Sequence, residues 1–177
     1  MSTTLTRRRL RITGVLTTMA TVALLSAASA QAAGATSAIC TNLFTITISP
    51  GFSMTPSSGT VTTHGETGSI SCVGEIDGHR VTGPGTMGIY ENYTNVTCPS
   101  SVIHGTISIT VPTTDGIKHL NGALHVRRTA LVVQPEAQFD GGERFSGIGV
   151  VVPIQGDCFL APMRRALLSV TGSLTGT

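Results

Sequence analysis

The sequence has few of the residues on which carbohydrate-active proteins depend. It contains no tryptophan and only seven aromatic residues, five phenylalanines and two tyrosines, in a chain of 177 residues. Sugar rings usually stack on aromatic side chains, so this composition disfavours a polysaccharide-binding module and a glycosidase. The carboxylate pair of a glycosidase leaves no linear signature, and the sequence therefore disfavours that class without excluding it.

The sequence also lacks the short motifs that mark common catalytic and metal sites. It has no C-x-x-C, no H-E-x-x-H and no G-x-S-x-G, the spacings typical of redox dithiols, zinc hydrolases and serine hydrolases. We therefore assign no catalytic, cofactor-binding or metal-ligating residue and expect no cofactor. Whether the protein is an enzyme stays open, with the balance against it, because many sites are assembled only in three dimensions.

Positive charge is scarce once the first thirty residues are set aside. The whole chain has 11 Lys and Arg against 9 Asp and Glu. Four of the arginines and none of the acids lie within residues 1–30, which leaves seven basic against nine acidic residues and a net charge of −2. Nucleic-acid binding needs many phosphate-facing cations, whereas the remainder has only two basic pairs, Arg127-Arg128 and Arg164-Arg165. We expect no nucleic-acid partner.

Residues 1–30 have the three parts of an export signal. A basic start precedes an apolar stretch, Ile12–Leu25, and small residues follow with cleavage patterns ending at Ala30 and Ala32. The stretch is shorter than the roughly 20 residues that span a bilayer, and no later run is that long. We therefore predict a cleaved signal of bacterial style at 1–30, exported by the general secretory or the twin-arginine route. A single β-domain at 31–177 would be secreted or envelope-associated, with no transmembrane segment after cleavage near Ala30 or Ala32.

The stretch Ser101–Pro135 shows the clearest alternation of apolar and polar residues. Thr114-Asp115-Gly116 supplies a turn in which glycine can adopt a positive φ. The period of two on both sides of this turn predicts a half-buried antiparallel hairpin. Its inward rows are predicted to be Ile103, Ile107, Ile109 and Val111, and Leu120, Leu124, Val126, Ala130 and Val132. Its outward residues are predicted to include Thr106, Ser108, Asn121 and Arg127.

Further segments of the same kind predict an all-β fold. The other predicted strands are Cys40–Ser49, Gly59–Ile76 with a break near Gly65, His79–Tyr93, Phe145–Pro153 and Ala166–Thr175, with a loop at Pro50–Ser58. Seven or eight strands with short connections fit a small antiparallel barrel or, as the alternative, a two-sheet β-sandwich. Glycines recur inside the strands, and this favours the barrel because glycine permits the coiling that closes a small sheet.

Four cysteines, Cys40, Cys72, Cys98 and Cys158, all follow the export signal. An even number in an oxidising compartment predicts two structural disulfides. If the first two strands pair antiparallel around residue 56, Cys40 lies opposite Cys72, on the same apolar face. Cys98 and Cys158 are then left to pair, but in a meander of seven strands their loops open at opposite ends. That second pairing stays open.

The histidines show no metal-binding spacing. If the hairpin turns near residues 114 and 115, His104 falls opposite His125 in the outward row, with His119 nearer the turn. Two imidazoles facing each other across a sheet are able to hold a divalent metal. We interpret the row as a solvent-facing polar face and predict that it is not a metal site.

Three functions follow as hypotheses. The first is a non-enzymatic exported β-domain that binds a small apolar ligand inside the barrel or a protein partner of the envelope or medium. The second is a secreted enzyme, and the third a structural or pore-forming wall component, which the polar outer rows disfavour. The interior separates the two forms of the first hypothesis. Ligand pockets run to roughly 300 Å³ or more, whereas a solid core would favour a protein partner.

Overall fold

The computed structural model describes residues 34–65 and 67–177, and the predicted export signal at 1–30 lies outside them. The described chain is all-β, with ten strands in one antiparallel sheet. The strands are β1 (Thr36–Phe52), β2 (Ser57–Thr63), β3 (Gly68–Ile76), β4 (His79–Arg80), β5 (Gly85–Val96), β6 (Ser100–Thr113), β7 (Gly116–Thr129), β8 (Val132–Phe139), β9 (Arg144–Gln155) and β10 (Met163–Gly176).

The sheet closes on itself because β10 pairs with β1. Strands β2 and β3 occupy one position in this ring, since both pair with β1 on one side and with β5 on the other. The predicted break near Gly65 separates them, and Gly65 has a φ of 81°. The ring therefore has eight strand positions, and the predicted small antiparallel barrel is confirmed.

The strands are staggered around this ring. Following the register from Cys40 through each neighbouring strand leads back to β1 at Pro50, a shift of ten residues. Closing a sheet requires such a stagger and tilts the strands by about 35–45°. An eight-stranded barrel is just wide enough for side chains to fill its interior.

The apolar rows of the Ser101–Pro135 hairpin face inward as predicted as far as Val126, but Ala130 and Val132, which were also predicted to face inward, are exposed. Ile103, Ile107 and Ile109 are at most 5% exposed, and their polar neighbours point to solvent. The prediction for the second strand of this hairpin, however, is wrong beyond Thr129. The chain reverses at Ala130-Leu131, Thr129 pairs with Val132, and β8 begins there as a separate strand. Ala130 takes a φ of 53°, a left-handed conformation that sequence patterns assign to glycine, asparagine or aspartate.

Two other predicted boundaries need correction. Pro50–Ser58 is not one loop, because β1 continues to Phe52 and β2 begins at Ser57. The predicted strand His79–Tyr93 is divided into a short β4 and a longer β5. A two-residue turn with positive φ at Asp77 and Gly78 links β3 to β4. Two-residue turns with positive φ values are favoured connections in β-hairpins.

Both disulfides are present. Cys40 pairs with Cys72 across β1 and β3, with 4.0 Å between the Cα atoms, and Cys98 is bonded to Cys158 with 5.9 Å between them. The second bridge joins the β5–β6 connection to the β9–β10 connection. Because β8 is an extra strand, four strands separate these connections, and both lie at one end of the barrel. We call this end the mouth; the β1–β2 and β7–β8 connections also lie there.

Candidate functional sites: the barrel interior and an outer apolar ridge

The barrel interior is nearly filled. A cavity of about 50 Å³ remains, walled mainly by aliphatic and phenylalanine side chains from the inward rows. Three polar side chains also face it, those of Asn42, Glu91 and Arg128. The cavity is far smaller than the roughly 300 Å³ typical of pockets for drug-sized ligands, so the interior is a packed core with a small, mostly apolar space that three polar side chains face.

Glu91 is an acid enclosed by this core. It is 3% exposed, and its Oε1 atom has no hydrogen-bond partner among the described residues. Burial raises the pKa of its carboxyl to about 8, because a charge is poorly solvated away from water. The side chain is therefore mainly a neutral carboxylic acid at pH 7.

Gly105 makes room for this acid. It pairs with Glu91 across β5 and β6. A Cβ atom at position 105 would lie 2.8 Å from Glu91 Cγ and 2.5 Å from Glu91 Cα. Glycine at this position is therefore required for the close approach of the two strands beside Glu91.

Asn42 is the second polar group of the interior. It occupies an inward position of β1 between Cys40 and Phe44, and it is 4% exposed. Its Oδ1 atom also lacks a hydrogen-bond partner among the described residues. Buried polar atoms are nearly always paired with protein or ordered water, so two side chains with unpaired acceptors that line one cavity make it a candidate site.

Arg128 closes the interior at the mouth and uses four of its five N–H groups in hydrogen bonds. Its Nε donates to Ser101 Oγ at 3.1 Å, and its Nη1 donates to the carbonyls of Cys98 and Ala130 at 2.7 and 3.0 Å. Nη2 donates to Thr97 O at 2.9 Å, and the guanidinium lies 4.8 Å from the centre of the Phe52 ring. Burial lowers the pKa of this group. Arg128 thus fixes two mouth connections from inside the barrel.

The outer surface carries a continuous apolar strip, which we call the apolar ridge. Its centre is the outward row of β9, where alternate residues from Ile148 to Ile154 are 48–58% exposed. Val132 pairs with Val150, and Leu131 O accepts the Val151 N–H at 2.8 Å, which places Leu131 and Val132 beside the row. The ridge comprises Leu131, Val132, Ile148, Val150, Val152, Ile154, Phe159 and Leu160.

The mouth end of the ridge is its most exposed part. Phe159 and Leu160 are 80% and 92% exposed. The loop that carries them is held by the Cys98–Cys158 disulfide and by Asp157, whose Oδ1 accepts the N–H groups of Phe159 and Leu160 at 2.9 and 2.8 Å. Backbone hydrogen bonds, of which the bond from Leu160 has the largest effect, keep the pKa of the Asp157 carboxyl below its usual range. Leu131, Met54 and Phe159 line an apolar cleft of about 490 Å³ at this end.

Charged residues of both signs border the ridge. Arg127, Arg144, Arg164 and Arg165 lie on or next to the strands that flank it, and so do four acids, Glu136, Asp140, Glu143 and Asp157. Asp157 is already engaged by backbone N–H groups. An apolar strip of this kind, with charged borders, resembles the centre and rim of a protein–protein interface.

The histidine row has the predicted placement. His104 pairs with His125 across β6 and β7, and their rings stack with 4.5 Å between centroids and 9° between planes. His119 lies nearer the turn and shares a 3.2 Å hydrogen bond with Thr110 Oγ1. Within residues 34–65 and 67–177, no three His, Cys, Asp or Glu side chains are arranged to hold a metal ion.

Sequence reasoning missed the interior polar groups. Glu91 falls within the predicted strand His79–Tyr93, for which no inward face was predicted, and it lies in the middle of β5. Alternation provides the missing signal, because Met87, Ile89 and Tyr93 are buried on the same face as Glu91. By the same alternation, Asn42 shares the inward face of Phe44, and Arg128 points inward because its neighbour Arg127 points outward.

These features define a small, disulfide-stabilised all-β barrel domain with a packed interior and an apolar outer ridge. No protein-family model, curated protein or solved structure shows significant similarity to this chain. Within the described residues, no helix has the length and apolar character needed to cross a membrane.

Proposed function

We propose that this protein is an exported, non-catalytic β-barrel domain that binds another protein through the apolar ridge. The ridge carries this proposal. Its eight side chains are 42–92% exposed. A contiguous exposed strip of this kind, rimmed by charged residues, is typical of a protein interaction site rather than of a monomer surface, where apolar residues are exposed singly.

The packed interior supports a protein partner over an enclosed apolar ligand. A cavity of about 50 Å³ is too small for a ligand of the size that lipocalin-like barrels enclose. The centre of the ridge, in contrast, is carried by paired strands of a closed sheet, and its mouth end by a loop that the Cys98–Cys158 disulfide holds. Such a surface needs little ordering on binding, which lowers the entropic cost of association.

The partner is a protein with a flat apolar contact strip and a charged rim. The cleft beside Phe159 would take one of its apolar side chains as an anchor, as buried interface hot spots do. The charged side chains beside the ridge would meet charges of opposite sign at the rim. Rim charges mainly accelerate association and set orientation, so the rate constant for association should fall as the salt concentration rises.

Export is part of the proposal. Two disulfides fit an oxidising compartment outside the cytosol, and the sequence pattern of residues 1–30 is that of a cleaved signal. Intact-mass analysis of protein from the medium or envelope should give a chain beginning at Gln31 or Ala33. A chain that retains Met1 in the cell would contradict export.

Site-directed photo-crosslinking tests the binding surface. A photoreactive amino acid at Val150 should give one crosslinked product with a single envelope or extracellular protein. The same group at Thr106, an outward residue of β6 on the far side of the ring, should give none. A product containing two copies of this chain, or equal crosslinking from both positions, would contradict the proposal.

Binding of the purified partner provides the quantitative test. Val150→Asp with Val152→Asp should weaken its affinity at least tenfold, because charges would replace the centre of the interface. Thr106→Asp with Ser108→Asp serves as the matched control and should leave affinity unchanged. An unchanged affinity in the first variant would exclude the ridge as the contact surface.

A further inference from the structure

The interior cavity combines two features that ordinary core packing avoids. Glu91 Oε1 and Asn42 Oδ1 are both enclosed and lack protein hydrogen-bond partners among the described residues, and both side chains face the same cavity. Leaving buried acceptors unpaired destabilises a fold. A bound molecule that pairs with them would remove this penalty.

The size of the cavity limits that molecule. A water molecule needs roughly 10–15 Å³ of such space, and an engineered cavity of about 150 Å³ binds benzene. At about 50 Å³, the space corresponds to a molecule of about three non-hydrogen atoms on this scale. The remaining walls are apolar, including Phe44, Val61 and Leu124, so part of the molecule must be apolar.

The chemistry of the two polar groups limits it further. Glu91, neutral because burial raises its pKa to about 8, offers a hydroxyl donor and a carbonyl acceptor. The unpaired atom of Asn42 is an acceptor. The charged Arg128 directs hydrogen bonds to Ser101 and to three backbone carbonyls instead. A fitting molecule is therefore neutral and carries both a donor and an acceptor.

We propose that the barrel interior beside Glu91 and Asn42 is a binding site for a small neutral amide or alcohol of about three non-hydrogen atoms. This site is separate from the apolar ridge and does not depend on the proposed protein partner. So few atoms limit the affinity to a dissociation constant of about 1 mM or weaker.

Titration of the mature protein with formamide and with ethanol, followed by NMR, tests this site. Both probes should show saturable binding with a dissociation constant of about 1 mM or weaker and shift signals of inward residues such as Ile89 and Leu124. Benzamide, which exceeds the cavity, should leave these signals unshifted. Glu91→Leu and Asn42→Leu should each weaken formamide binding at least tenfold, whereas Glu91→Gln, which keeps a donor and an acceptor, should retain it.

Thermal melting of each variant separates lost binding from lost folding, with Thr106→Val as a surface control. If either leucine variant does not fold, the proposal is tested by formamide binding to Glu91→Gln and by which residues give the shifted NMR signals. Absent saturation, shifts confined to outward residues, or unchanged binding in folded Glu91→Leu would overturn the proposal. A high-resolution crystal soaked in formamide that showed only ordered water at Glu91 would do the same.

Discussion

Glu91 should make the domain less stable as the pH rises, and Glu91→Gln should remove this dependence. Burial raises the pKa of the folded carboxyl to about 8 from the ordinary value of 4.5. Below pH 4.5 both the folded and unfolded chains keep this proton. Between pH 4.5 and 8 the unfolded chain loses it and the folded protein does not, so rising pH favours unfolding. The stability associated with the neutral acid is lost as the pH rises through this window.

The magnitude follows from the width of the window. One proton of difference changes the free energy of unfolding by about 1.4 kcal/mol per pH unit. Because the pKa of the folded carboxyl is about 8 against 4.5, crossing the window costs several kcal/mol of stability. Small domains have a total stability of about 5–15 kcal/mol, so the effect is large enough to measure directly.

Urea unfolding of wild type and Glu91→Gln at pH 5, 6.5 and 8.5 measures this effect. Through the middle of this pH range, the free energy of unfolding of the glutamine variant should rise relative to that of wild type by roughly 1.4 kcal/mol per pH unit. Glu136→Gln, which removes an exposed carboxyl from β8, is the control and should follow wild type. Parallel pH profiles for wild type and Glu91→Gln would refute the reasoning, since they would mean that Glu91 ionises normally in the folded barrel.

Three further predictions test the core, the histidine row and the mouth. Ile107→Asp should unfold the domain, because an unpaired buried carboxylate costs several kcal/mol, whereas Thr106→Asp should be nearly silent; proteolysis or melting in the reverse order would mean that the faces are exchanged. Calorimetric titration with zinc should show no tight binding, and a one-to-one isotherm abolished by His104→Ala and His125→Ala would contradict this. Cys98→Ser with Cys158→Ser should lower the stability by about 2–4 kcal/mol and expose the Phe159 loop to proteases; unchanged melting and cleavage would count against a stabilising role of the bridge.

The sequence predicts the barrel because most of its strands alternate strictly and its turns carry glycine. Gly116 and Gly78, for example, both take positive φ values at reversals that the sequence marks. The register of the first strands also follows from pattern alone, since Cys40 and Cys72 are direct partners. The turn at Ala130 was not predictable in this way, because tertiary hydrogen bonds impose it. Its N–H donates to Pro99 O at 2.8 Å, and its carbonyl accepts from Arg128.

The candidate sites were only partly readable from the sequence. Parity places Glu91 and Asn42 on inward faces, but their shared cavity results from closure of the sheet, which brings separate strands around one interior. The ridge could be predicted only if β8 were recognised as a separate strand. With Val132 assigned to the preceding strand, it counts as an inward residue, whereas in β8 it pairs with Val150 and is 42% exposed.

The Ala130 turn therefore determines whether the disulfide at the mouth can form. Without it three strands would lie between the loops of Cys98 and Cys158, and the loops would open at opposite ends. With β7 and β8 as distinct strands the number is four, and the disulfide can form across the mouth. Arg128 then lies between two spaces, since its side chain borders both the interior cavity and the cleft beside Phe159. The same guanidinium holds the Cys98 and Ala130 carbonyls, so one buried side chain joins the Ala130 turn, the bridged loop and the wall of the interior site.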